Sequence, residues 1–211
     1  MIDEGYTKYE CDWRQAPALP AEAIGELNAW RNRLHAQGLI GYYPEHGVGF
    51  GNVSIREGDS DSFIISGTQT GHIAQTSEEH YARVTACDIE ANHVDCEGPV
   101  QASSEALTHA AIYALDPRIR AVVHVHDAGL WRELIDRIPT TSRAVTYGTP
   151  EMAREFQRLY EETDFAERGV AVMGGHDEGI VSFGQDISQA AERILHHAAT
   201  RHRARCPTRC S

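Results

Sequence analysis

Lysine is nearly missing from this sequence: Lys8 is the only one in 211 residues. Imine catalysis needs a desolvated amine beside the reacting carbonyl. Lys8 sits in a polar N-terminal stretch, so a Schiff-base mechanism is not expected. Also absent is any run of about 18 apolar residues, which argues against a membrane-spanning helix. The start MIDEGYTKYE has neither the basic opening nor the apolar stretch of a secretory signal, so export is not expected and the cytoplasm is the default location. Cys11, Cys87, Cys96, Cys206 and Cys210 are odd in number and scattered, unlike the dense framework of a disulfide-stapled domain. Reduced thiols are expected. Basic residues are outnumbered 19 to 31 by acidic ones, for a formal charge of −12. That balance opposes nucleic acid and anionic lipid as partners.

What is present suits one core. A chain of this length, 41% hydrophobic and 24% charged, is long enough for a single globular domain over 1–211, with mobile ends expected at about 1–15 and 203–211. Pro20 opens a pattern in which Ile24, Leu27, Trp30 and Leu34 share a face, and Gly38 suits the position past its end, predicting a helix from Ala21 to Gln37. VGFGNVSIRE and DSFIISG read as two strands bounded by glycine turns. After a polar stretch, Ser103-Ser104 caps a helix from Glu105 to Leu115, stopped by Asp116-Pro117. AVVHVH follows as a β-branched strand, PEMAREFQRLYEE as a helix, GVAVM and GIVSFG as a hairpin pair, and Ile187 to Arg201 as a last helix. No repeat or long linker interrupts this order, so helices and mixed strands form one α/β or α+β layer structure.

Twelve histidines are an unusual supply of metal ligands and proton carriers. In a strand, side chains alternate faces, so His124 and His126 project together while Val123 and Val125 face the other way. Two such imidazoles can grip one ion; taken alone they are equally a polar face turned to solvent. A catalytic zinc-type site wants three protein ligands and an open position. His176, in a Gly-Gly-His turn at a strand end, is the best-placed third. Glu105 opens the helix that ends just before the histidine strand. By itself it is a first-turn acid favoured by the helix dipole; beside a metal it becomes a proton carrier.

Five motifs in order resemble the class II aldolase/adducin family: Gly51-Asn52-Val53-Ser54, the small-residue loop Ser66-Gly67-Thr68-Gln69-Thr70-Gly71, Ser103-Ser104-Glu105, His124-Val125-His126 and Gly175-His176. The match in order and spacing runs over roughly residues 20–200. The resemblance implies a three-layer α/β/α sandwich around a largely antiparallel sheet, assembled as a homotetramer. It implies a divalent metal, zinc first with manganese, iron or cobalt as alternatives, on His124, His126 and His176, with Glu105 exchanging the substrate proton. Asn52, Thr70, Gly71, Ser103 and Ser104 would bind substrate or phosphate. Small residues let backbone amides approach a phosphate without lysine, though they serve equally as turns. The implied function is a lyase acting on a small hydroxylated carbonyl compound, such as a sugar phosphate, through an enediolate. A sugar-phosphate 4-epimerase, a dehydratase and a non-catalytic adducin-like interaction module are the alternatives; retention of all three histidines and Glu105 speaks against the last.

The sequence departs from the family pattern after His176, where Asp177-Glu178 precede Gly179 in place of an immediate glycine. Tyr147 is a weak candidate for the tyrosine acid some members use. His109 shares a helix face with Glu105, as a site-supporting or a packing residue. Asp127 could orient a ligand histidine or simply end a strand. His202, Cys206 and Cys210 have ligand-like spacing but lack a fourth partner.

Overall fold

The computed structural model describes residues 7–205. Along the chain run β1 (Glu10–Gln15), α1 (Ala21–Ala36), β2 (Gly41–Tyr43), β3 (Val48–Phe50), β4 (Asn52–Arg56), β5 (Phe63–Ser66), a 3-10 turn at Glu78–His80, β6 (Tyr81–Asp88), β7 (His93–Gly98) and α2 (Ala106–Leu115). They are followed by β8 (Ala121–His126), α3 (Ala128–Leu134), α4 (Pro150–Glu162), α5 (Phe165–Arg168), β9 (Val170–Val172), β10 (Gly179–Gly184) and α6 (Ile187–Arg205). No described helix is long and apolar enough to cross a membrane.

Eight strands form one sheet in the order β1-β7-β6-β5-β4-β8-β10-β9, while β2 and β3 pair separately. Every neighbouring pair in the large sheet is antiparallel except β1 on β7. The alternation of side chains sorts the core into two clusters. Val122, Phe63, Ile65, Val181 and Phe183 pack with Leu107 and Ile112 of α2 and with Met152, Phe156 and Leu159 of α4. Their neighbours in sequence, Ala121, Val123, Val125, Ile64 and Ile180, pack with Ile24, Leu27 and Leu34 of α1 and with Ile187, Ala190, Ala191 and Ile194 of α6. Successive residues of one strand thus serve opposite faces, and helices cover both.

Local chemistry explains several boundaries. α4 carries Pro150 in its first turn and is capped by Thr149, whose side chain accepts from the Met152 amide. Its buried face is Met152, Phe156 and Leu159. α1 starts directly after Pro20 and gives way to Gly38 at φ +73°, a left-handed position that suits glycine.

The structure corrects five expectations. Residues 10–15, expected within a mobile end, form the parallel edge strand β1 on β7. The helix at Ser103-Ser104 begins at Ala106 without a side-chain cap, because Ser103 Oγ accepts from the Glu105 amide, before the helix proper. VGFGNVSIRE is two strands, split at Gly51 (φ +75°), where the chain passes from the small hairpin into the main sheet. The hairpin β6–β7 lies in what reads as a polar stretch, and a register shift between Val84 and Ala86 breaks its alternation. The last helix continues to Arg205; Cys206 and Cys210, and the side chain of His202, lie outside what the structure describes.

Arg31 of α1 is the largest fully buried side chain. Its guanidinium donates to the carbonyls of Thr70, at 2.7 Å, and Ile73. Those bonds pin the small-residue loop against the sheet. Arg31→Ala leaves the buried Thr70 carbonyl and the part-buried Ile73 contact without that donor and is expected to lower unfolding free energy by about 2–4 kcal/mol in urea titration. Arg31→Lys recovers only part of this, since one ammonium lacks the planar fork that reaches two acceptors.

Candidate metal centre

β8 places His124 and His126 on the face shared with Val122, and the turn after β9 brings His176 against them. Their Nε2 atoms lie 3.0 Å (124 to 126), 3.1 Å (126 to 176) and 3.3 Å (176 to 124) apart, and all three side chains are buried. Gly179 makes this packing possible: a Cβ there would collide with the rings of His176 and His124. Burial holds His124 down at about 4 and the other two well below the ordinary histidine range. The rings are therefore neutral, with one N–H each.

The two strand histidines have partners at Nδ1. His124 Nδ1 lies 3.2 Å from the Ile180 carbonyl, which can only accept. His126 Nδ1 lies 3.4 Å from the Tyr43 hydroxyl, which itself donates to Glu178 Oε2 at 2.7 Å and so accepts from the histidine. The two Nε2 atoms meet at 3.0 Å, close enough for both to ligate one cation. Tetrahedral ligation at the usual zinc–nitrogen distance separates ligand nitrogens by about 3.3–3.4 Å, close to the observed triangle. The donor set fits a divalent metal with an outer partner on each strand histidine.

Glu105 completes the cluster. Its Oε1 lies 3.4 Å from His176 Nε2, and among the described residues neither carboxylate oxygen, though buried, has a hydrogen-bond partner. Burial pushes this carboxyl up to about 7, with Thr108 and the positive charge of Lys8 pulling the other way. The short step from Ser103 to α2 delivers it: the Tyr9 hydroxyl donates to the Ser103 carbonyl at 2.7 Å, and the Ala106 amide donates to the same carbonyl.

Around these four groups the other candidates divide. Asn52 pairs in register with His124 across β4 and β8. His109 lies with Nε2 2.6 Å from Asn52 Oδ1 and Nδ1 2.6 Å from Ser54 Oγ, which in turn contacts the Tyr113 hydroxyl at 2.7 Å. His109 is thus a buried strut that occupies the amide oxygen of Asn52 and leaves its Nδ2 as the donor. Ser103 and Ser104 are buried just before Glu105. Thr70 donates to the Gly67 carbonyl at 2.8 Å, and Gly71 packs so closely on Gly41 that a Cβ would meet its carbonyl oxygen. These contacts do not reach the histidines, but Gly67 bridges Ala102 and the Thr68 amide donates to Gln101, which tethers the loop beside Ser103. Asp127 caps α3 through the Gly129 and Leu130 amides and pairs with Arg201, so it orients no histidine. Tyr147 is buried with its ring centroid 4.4 Å from that of His176.

Sequence reasoning missed Lys8, Tyr43 and the role of Glu178. Lys8 lies with Nζ 3.9 Å from the Tyr147 ring centroid, carried there by the start of β1. Glu178 adopts φ +68°, a strained position for a side chain. The Asp177-Glu178 pair ahead of Gly179, where the family pattern has glycine directly after histidine, was the available clue.

The pattern of the family described as Class II Aldolase and Adducin N-terminal domain matches residues 43–200, and the chain belongs to that family. Its structure resembles YgbL of Escherichia coli, a putative aldolase/epimerase/decarboxylase, at 15% identity over 90% of this chain and 91% of that one, TM-score 0.63. It also resembles an L-fuculose 1-phosphate aldolase (17% identity, 89% and 88% covered, TM-score 0.62) and a sugar-phosphate aldolase from Thermotoga maritima (16%, 88% and 94%, TM-score 0.63). At these identities the likeness concerns the fold. No curated protein matches the chain. The family generally uses a divalent metal.

The Glu178–Tyr43–His126 chain predicts a separation of stability from metal affinity. Glu178→Gly relieves the left-handed strain and is expected to leave the fold as stable or up to about 1 kcal/mol more so. The same change, and Tyr43→Phe, should weaken divalent-ion affinity about 10-fold in chelator competition. Unchanged affinity in both variants would leave Glu178 with no part in orienting the histidine.

Proposed function

We propose that this chain is a metal-dependent carbon–carbon lyase of the class II aldolase type, acting on a small hydroxylated carbonyl compound such as a sugar phosphate. The observation that carries this reading is the convergence of His124, His126 and His176 Nε2 within 3.3 Å of one another, with Glu105 Oε1 3.4 Å from His176. Family membership supports an aldolase or epimerase type of reaction and a small-molecule substrate. The proposal includes zinc as the metal, the three-layer α/β/α form of the fold on one domain, and the homotetramer that the family resemblance implies.

His124, His126 and His176 would hold the ion, which when bound supplies positive charge that stabilises electron density developing on the substrate's oxygens. Glu105 takes the proton of the hydroxyl whose carbon–carbon bond breaks, and returns a proton to the carbon left with the electron pair. Its burial without a partner keeps it available for both transfers. The Asn52 amide, oriented by His109, donates to a substrate oxygen beside His124. Ser103, Ser104 and the Thr70-Gly71 loop form the small-residue wall where a phosphate or other polar substituent would bind. Rotation of the released aldehyde followed by re-addition would turn the same steps into 4-epimerisation.

Purified protein is expected to hold about one divalent ion per chain by elemental analysis, and His124→Ala or His176→Ala to lose it. Glu105→Gln should keep the ion yet lower aldehyde release from ketose 1-phosphates by about 10²- to 10⁴-fold. An epimer formed without free aldehyde, or loss of water from substrate, would move the assignment to the epimerase or the dehydratase. Metal-free protein whose thermal stability ignores the histidine changes would instead favour the adducin-like interaction module.

A further inference from the structure

We propose that Cys11 and Cys96 are a peroxide-responsive thiol pair whose oxidation to a disulfide staples the edge strand β1 to β7. The two sulfurs lie 3.6 Å apart. In the parallel register Cys11 pairs with Val94 and Trp13 with Cys96, so the cysteines are diagonal neighbours on one face of adjacent strands. Cys11 is half-buried and Cys96 buried. This is the arrangement of an accessible nucleophile backed by a resolving partner.

The surroundings make the pair asymmetric. The Cys96 thiol, hydrogen-bonded to Cys11, is the largest influence drawing Cys11 down to about 7, with Gln101 and the nearby His93 assisting and burial opposing. The same hydrogen bond and burial push Cys96 far up. Cys87, two strands from β1, is pushed up to about 12 by burial, which keeps it a poor nucleophile.

Hydrogen peroxide is the oxidant the pair would meet. The Cys11 thiolate attacks one peroxide oxygen, an S–O bond forms, the O–O bond breaks, and the departing hydroxide takes the proton the thiol released, giving water. The Cys96 sulfur then attacks the sulfenic sulfur of Cys11; the S–S bond forms, the S–O bond breaks, and the hydroxyl leaves as a second water with the Cys96 proton. Two electrons pass from the thiols to the peroxide. Closing from 3.6 Å to the bonded distance of about 2.05 Å asks β1 to shift, which it can because β7 is its single strand neighbour among the described residues. The cross-link would close a span of 85 residues and restrict the unfolded chain accordingly.

The test needs no substrate and is independent of the proposed activity. Full-length protein is treated with hydrogen peroxide, alkylated and mapped by non-reducing mass spectrometry. The expected product is a Cys11–Cys96 cross-linked peptide about 2 Da lighter than its parts, reversed by dithiothreitol, with Cys87 still alkylated and a midpoint of thermal unfolding raised by about 5 °C or more. Cys96→Ser should stop at a sulfenic acid on Cys11, trapped by dimedone. Full alkylation of both cysteines after peroxide, or a cross-link that uses Cys87, Cys206 or Cys210 in place of either, would overturn the proposal; both outcomes are read on the unaltered chain.

Discussion

Nε2 of His124 and Nε2 of His126 face each other across 3.0 Å in the buried interior, with the Nδ1 atoms set against the Ile180 carbonyl and the Tyr43 hydroxyl. A buried carboxyl without a hydrogen-bond partner stands beside the third ring. Polar groups in such surroundings cost free energy unless something satisfies them. The nearby packing maintains this arrangement instead of relieving it: Gly179 leaves room for two rings, His109 braces the residue next to His124, and Tyr9 fixes the carbonyl two residues before Glu105. Three buried imidazole nitrogens within reach of one ion, beside a carboxyl, are why the geometry carries a metal reading beyond what any one histidine would.

The candidate site also depends on residues outside the three histidines. Glu178 departs from the family pattern, sits in left-handed backbone and reaches His126 through Tyr43. Lys8, which by sequence belongs to a polar terminus, ends over Tyr147 near His176. β1 brings it there, and Cys11 on that strand meets Cys96 at the far side of the sheet's edge. One edge strand thus links the neighbourhood of the candidate metal centre to the cysteine pair.

Much of this was legible in the chain. The alternation through AVVHVH settled that His124 and His126 share a face, because a period of two is a property of extended backbone. Pro20, Gly38, Thr149-Pro150 and Asp116-Pro117 marked helix ends through local steric and hydrogen-bond rules that need no distant partner. The order of five short motifs identified the family. Less was legible where long-range pairing decides. β6 and β7 contain polar residues because part of their surface is exposed, and a bulge interrupts the alternation; β1 becomes a strand because β7 offers it an unpaired edge.

By itself, then, the sequence determined the residue types of the site, the strand that carries two of its histidines and the absence of an amine suited to imine formation within the histidine motifs. Only the tertiary structure decided that residue 176, fifty positions on, closes the triangle, that Asp127 serves a helix cap and Arg201 and not a histidine, and that Lys8 and Glu178 stand near the centre. The reason is range: propensity, capping and face alternation act over a few residues, whereas convergence of distant side chains is set by how strands register and helices cover them.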